Sequence, residues 1–352
     1  MVVFVACLLV VFTALAQDQR WPEQKAWDWY NKQPWYCGFN YIPAYAINYT
    51  AMWDKTSFDP VAIDKELALA EKSGMNLLRA VLQFAVYEDD PSYFLKTLDK
   101  FMAICAKHHI KFMPALFDDC MFGIEHDPKV GKQPEPVKGW YAWAWSPSPG
   151  HSMVIDATTH PRIEKYVKAV IEKFKNDDRI LLWDLYNEPT NGGLGSATFP
   201  LLKKVIAWAR EVNPSQPVSI DVFDRNSRLN EIALGASDVV TFHNYDDTTS
   251  LRNHIKEMKQ QNRPVICTEW MNRPRKSVIA THLQIFYEEK VGCLLWGLVN
   301  GKTQTDLPWG HRPGDPDSPV WQHDLYKPDF TAYDETEIKT IEKYTGKALS
   351  NK

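Results

Sequence analysis

Two apolar runs in this chain stop abruptly at an acid: Trp183-Asp184-Leu185-Tyr186-Asn187-Glu188-Pro189 and Val265-Ile266-Cys267-Thr268-Glu269-Trp270. Proline cannot donate to a β ladder, so Pro189 ends a strand and leaves Glu188 at its C-terminal rim. One carboxylate in such a place is ordinarily a turn residue or half of a rim ion pair. Two, on separate strand ends, are what cleavage of a glycosidic bond requires. One protonates the leaving oxygen; the other attacks the anomeric carbon or activates water. A gap of about 5–5.5 Å implies a covalent intermediate and retention, and about 6.5–9.5 Å implies inversion. Sequence spacing does not fix that gap.

Positioning two such residues across one cleft needs a sheet that curls back on itself. Eight apolar runs read as buried strands: Tyr36–Asn40, Asn76–Leu82, Lys111–Phe117, Ile180–Asn187, Val218–Asp221, Val239–His243, Val265–Glu269 and Cys293–Trp296. Near-continuous apolar strands are those covered on both faces, as in parallel sheets. Amphipathic helical patterns alternate with them over Pro60–Ser73, Ser92–His109, Pro161–Asn176, Pro200–Val212, Ser227–Leu234, Ser250–Gln261, Lys276–Lys290 and Glu335–Tyr344. Eight strand–helix pairs in order predict an α/β fold of the (β/α)8 barrel type, with strands four and seven facing each other across the mouth. An open doubly wound sheet is the alternative, but no Gly-rich phosphate fingerprint accompanies it.

Long connections are predicted after strands three and eight, each of about forty residues. The first carries Gly139-Trp140-Tyr141-Ala142-Trp143-Ala144-Trp145, the second Trp309, His311, Trp321 and His323. Disordered segments are poor in aromatics, so these loops are expected to pack or to bind. The chain has 14 Trp and 15 Tyr, and such rings stack on flat apolar faces, which sugars present, while keeping a polar handle.

The 352 residues, with net charge −4, fit one barrel with long loops. No basic run offers a footprint for nucleic acid or anionic lipid. Val2–Ala16 is apolar and ends in Ala14-Leu15-Ala16, the pattern of a cleaved signal peptide. The expected organisation is therefore a leader over 1–16 and one catalytic domain over 17–352, exported to the extracellular space or periplasm, with no membrane span. A lipoprotein reading around Cys7 is the alternative. Cleavage would leave five cysteines, an odd number that cannot all pair within one chain. Buried free thiols are expected, with one disulfide, for example at Cys120, left open. Asn48-Tyr49-Thr50 fits a glycosylation sequon. No metal-ligand cluster, Lys-Ser/Thr phosphate loop or Gly-x-Ser-x-Gly elbow is present, so no metal and no cofactor are expected.

The Asn187-Glu188-Pro189 end of strand four and the Thr268-Glu269-Trp270 end of strand seven resemble clan A glycoside hydrolases, especially family 5 and its cellulase-like relatives. The resemblance spans about Trp35 to Tyr344, and the acid/base precedes the nucleophile by about 80 residues, as in that family. It implies Glu188 as acid/base and Glu269 as nucleophile of a retaining enzyme acting on β-glucan, β-mannan or β-galactoside type glycans. It further implies Asn187 on the sugar 2-hydroxyl, Arg79 holding Glu269 ionised, Tyr245 touching the nucleophile, His243 on substrate or acid/base, and Trp296 as a sugar platform. With Glu188 as acid, its carboxyl is expected raised and protonated, and that of Glu269 low and ionised.

Departures from the family pattern accompany the match. Phe117-Asp118-Asp119-Cys120 stands where a His is frequent, making Asp118 a candidate sugar ligand. Gly301-Lys302-Thr303-Gln304 follows Trp296, making Lys302 another, and Trp143 is a candidate in the aromatic loop. The partner expected throughout is an oligo- or polysaccharide. Two rival functions share these features: a transglycosylase, using the same intermediate with a sugar acceptor, and a non-catalytic glycan-binding barrel, which would dispense with one carboxylate.

Overall fold

The computed structural model of the chain describes residues 20–223 and 227–347. The leader and Cys7 lie outside the described residues. Nine parallel strands run around a nearly closed barrel: β1 (Cys37–Asn40), β2 (Leu77–Val81), β3 (Lys111–Ala115), β4 (Trp183–Asp184), β5 (Val218–Ser219), β6 (Asp221–Val222), β7 (Val240–His243), β8 (Val265–Trp270) and β9 (Gly292–Trp296). Their order is β5-β4-β3-β2-β1-β9-β8-β7-β6, and helices alternate with them as the sequence predicts. The fold is a (β/α)8 barrel.

The predicted fifth strand is divided into β5 and β6, which raises the count from eight to nine. Between them the Ile220 amide donates to the Ser237 hydroxyl at 3.0 Å instead of to a neighbouring strand. β5 pairs with β4 and β6 with β7, so Ile220 is where the circle joins. The predicted fourth strand, Ile180–Asn187, keeps a regular ladder only at Trp183–Asp184, with single bridges at Ile180 and Asn187. Its neighbour β3 contains Pro114, which has no N–H to give.

Inside the barrel, Leu77, Met113, Leu182, Ile266 and Leu294 form a separate buried apolar layer with Tyr36. Trp29 and Tyr30, from a helix over Glu23–Tyr30 that the strand–helix count did not anticipate, pack against that layer. The floor is thus dry, and polar side chains gather at the other end. Five cysteines, Cys37, Cys105, Cys120, Cys267 and Cys293, are buried free thiols. No helix among the described residues is long and apolar enough to cross a membrane.

Candidate active site

Arg79 organises the mouth. It projects from β2 into the barrel, where it is 2% exposed. Nε and Nη2 donate to Asp184 Oδ2 at 2.8 and 2.6 Å, Nη2 to Asp221 Oδ2 and Asn187 Oδ1 at 2.6 Å each, and Nη1 to Glu269 Oε1 at 2.8 Å and Asn40 Oδ1 at 2.9 Å. One guanidinium therefore ties together β1, β2, β4, β6 and β8. A fork of fixed donors suits this task better than an ammonium point charge. Burial would lower its pKa, but Asp221, Asp184 and Glu269 outweigh that and hold it charged.

The two predicted carboxylates converge. One oxygen of Glu188, one of Glu269 and one ring nitrogen of His243 all lie within 4.8 Å of one another. Tyr245 Oη donates to Glu269 Oε2 at 2.6 Å. His243 Nδ1 lies 2.8 Å from Glu188 Oε1 and 3.5 Å from Glu269 Oε2, and its Nε2 is 3.4 Å from Asp221 Oδ2. Glu188 sits at φ +41°, in the left-handed region that non-glycine residues seldom occupy and that accumulates at functional sites. The turn falls immediately before Pro189, and the Glu188 side chain lines the cleft.

The two carboxyls shift in directions opposite to those expected from the sequence. Burial pushes Glu188 up, yet the hydrogen bond and charge of His243 outweigh it, and the carboxyl falls below its usual range. Burial raises Glu269, and the neighbouring Glu188 adds to this against the cations His243 and Arg79, leaving it above its usual range. His243 itself would be lowered by burial but is held well above the ordinary imidazole range by Glu269 and Asp221. His243 Nδ1 and Glu188 Oε1 are thus placed to share a proton. Those three groups have the spacing of a metal-ligand set, with His243 Nδ1 in contact with Glu188.

A cleft of about 1110 Å³ opens over these residues and is lined by Asn187, Glu188, His243, Tyr245, Glu269 and Trp296 among others. Asn187 gives one Nδ2 hydrogen bond to Asp118 at 2.8 Å, with only a 3.5 Å contact to Cys120 Sγ for the other hydrogen. Three further candidates lie outside the cleft lining. Asp118 is buried behind Asn187, accepting also from Trp145 Nε1 at 2.9 Å, so it holds cleft residues rather than lining the cleft itself. Trp143 packs on Trp140. Lys302 borders a separate surface hollow, 3.4 Å from Glu135.

Two contacts on Glu188 carried no reading in the sequence. Asn191 Nδ2 donates to Glu188 Oε2 at 2.5 Å, and the Cys120 thiol donates to the same oxygen at 3.0 Å. Burial and the surrounding carboxylates push the thiol up, so it keeps its proton. Asn191 sits three residues past Glu188, an offset that could have flagged it. Cys120 carried no such signal.

Paired carboxylates on facing strand ends, with an arginine under one and a histidine on the other, are the arrangement that glycoside hydrolysis requires. Residues 43–302 match the family model "Cellulase (glycosyl hydrolase family 5)". The chain belongs to glycosyl hydrolase family 5. No curated protein matches it. Among solved structures it is similar to an exo-β-1,4-mannosidase from Opitutaceae bacterium strain TAV5 (TM-score 0.61, 16% identity, covering 90% of this chain and 60% of that one). It is also similar to an endo-β-1,4-mannanase from Thermotoga petrophila (TM-score 0.57, 15% identity, 90% and 77%) and a family 5 mannosidase from Rhizomucor miehei (TM-score 0.56, 15% identity, 91% and 94%). The chain thus spans about 60% of the length of the first. At these identities the likeness is one of fold.

Proposed function

We propose that the chain hydrolyses β-linked hexose oligosaccharides by double displacement, with Glu269 as nucleophile and Glu188 as acid/base. The observation that supports a shared catalytic role is the convergence of the two carboxylates, one oxygen of each lying within 4.8 Å of the other, with Arg79 and Tyr245 on Glu269 and His243 on Glu188 favouring this division of roles. In the first step a Glu269 oxygen bonds to the anomeric carbon. The glycosidic C–O bond breaks, and its oxygen takes the proton that Glu188 and His243 share. In the second step Glu188 removes a proton from water, whose oxygen displaces Glu269 and restores the original configuration.

The surrounding residues fit this division of labour. Arg79 and Tyr245 hold one oxygen each of Glu269, which fixes the attacking orbital. The second amide hydrogen of Asn187 suits a sugar 2-hydroxyl, a contact that strengthens in the transition state. Trp296 offers an apolar face beside the nucleophile. The mannan-acting neighbours make β-mannosides the first substrates to try, with β-glucosides and β-galactosides beside them. The apolar Val2–Ala16 segment supports export, in which case the secreted protein would begin at Gln17.

The test is a panel of aryl β-glycosides with wild type and Glu269→Ala. The variant should lose turnover and recover part of it with azide, giving a product of inverted configuration. Undiminished hydrolysis by that variant would remove Glu269 from the role.

A further inference from the structure

We infer that the enzyme is exo-acting: it removes single sugars from the non-reducing end, because the side of the cleft beyond the scissile sugar is walled off. This rests on the assignment of Glu269 as nucleophile and deepens it. The sugar that forms the covalent bond must lie over Glu269 and Trp296, with its leaving group on the Glu188 side. Around Trp296 the cleft is bounded by the loops that follow β1, β3 and β9, which supply Tyr49, Tyr141, Trp145, Trp309 and His323.

Those loops are laced into one structure. Across the two long connections, the Tyr141 amide donates to the His311 carbonyl at 3.1 Å and the Ala142 amide to the Thr303 carbonyl at 3.0 Å. The Gln304 side chain accepts from the Gly139 amide at 3.0 Å and donates to the Val137 carbonyl at 2.8 Å. His311 Nδ1 lies 2.8 Å from the Gly139 carbonyl, and Arg312 stacks on Trp140 at 4.5 Å. The loop after β1 closes the remaining side: Asn48 Nδ2 donates to the Ala144 carbonyl at 2.8 Å and Thr303 Oγ1 to the Ala46 carbonyl at 3.0 Å. At Gly301 a Cβ would stand 2.2 Å from the Ala44 carbonyl oxygen, so the backbones touch and no chain could thread between them.

Toward the cleft this wall presents Tyr49, Tyr141, Trp145, Trp309 and His323 around Trp296. The rings brace each other: Trp145 lies 5.8 Å from Trp296, Tyr49 5.3 Å from Trp145, and His323 6.0 Å from both Trp296 and Trp309. His323 is fully buried and kept neutral, its pKa lowered to about 3 by burial. A wall so densely bonded is not a lid, and opening it would break all these contacts together. An internal sugar of a polymer, carrying a further unit at its non-reducing end, has no path through it.

The experiment is an early time course on a pentasaccharide labelled at its reducing end, taken from whichever β-hexoside series the aryl panel shows to be cleaved. The labelled tetrasaccharide with free monosaccharide should appear first, and polysaccharide viscosity should hold while reducing sugar accumulates. Labelled mono- or disaccharide at the earliest times, or a prompt fall in viscosity, would overturn the inference while leaving the catalytic pair standing. Loss of azide rescue in Glu269→Ala, with exo products unchanged, would instead fail the nucleophile assignment. In a Gln304→Ala/His311→Ala variant, which loosens the lacing without touching the carboxylates, internal cleavage should begin to appear.

Discussion

His243 Nδ1 stands 2.8 Å from Glu188 Oε1, so imidazole and carboxyl hold a proton between them. Asp221 and Glu269 keep the imidazole protonated well above its ordinary range. The proton is therefore present at neutral pH and is lost only as pH rises through that raised value. Activity should persist past neutrality in the wild type. In His243→Asn the alkaline limb of kcat/KM should move toward lower pH, to that of a lone buried carboxyl. An unmoved limb would show that His243 plays no part in storing the proton.

Tyr245 Oη donates to Glu269 Oε2 at 2.6 Å. A hydrogen bond to a charged group contributes about 1.5–3 kcal/mol, or roughly 10- to 150-fold at about 1.4 kcal/mol per decade. Tyr245→Phe should lower kcat by an amount in that range with an unchanged melting temperature. The split between turnover and stability is what distinguishes a catalytic contact from a packing one.

Arg79 makes the larger structural contribution. Truncating one member of a buried ion network costs about 3–5 kcal/mol, because its partners keep charges they can no longer neutralise. Arg79→Met would strand Asp184, Asp221 and Glu269 at once. Denaturant unfolding should show a loss of at least about this size, together with loss of activity. A variant as stable as wild type would mean that the carboxylates reprotonate freely.

Glu66 offers a pH test away from the chemistry. Burial pushes its carboxyl up from 4.5 to about 7, against hydrogen bonds from Tyr41 and the Ala44 amide. The native state then holds the proton more tightly than the unfolded chain does. Its contribution is full below about pH 4.5 and is lost as pH rises through about 7, up to about 3 kcal/mol. Asp119 and Asp324, also raised to about 7, act in the same direction. The melting temperature should fall between pH 5 and 8, and less steeply in Glu66→Gln.

The barrel was legible because buried parallel strands read as apolar runs and each run was followed by a helical period. The carboxylate pair was legible for a related reason: an acid closing such a run has few structural uses. What stayed hidden depends on long-range geometry. Where the predicted fifth strand divides, the Ile220 amide is taken by Ser237, seventeen positions away. Asp118, Trp143 and Lys302 have the right chemistry for sugar binding, but folding turns them into a buried bracket, a packed ring and a surface ion pair. The shift of Glu188 below its usual range comes from where His243 sits, which no motif records.

The anomeric configuration of the first-formed product tests the central claim most directly. With an aryl β-glycoside followed by proton NMR from the moment of mixing, the β-anomer should appear first and mutarotate afterwards. Prompt appearance of the α-anomer would mean that water, and not Glu269, attacks the sugar.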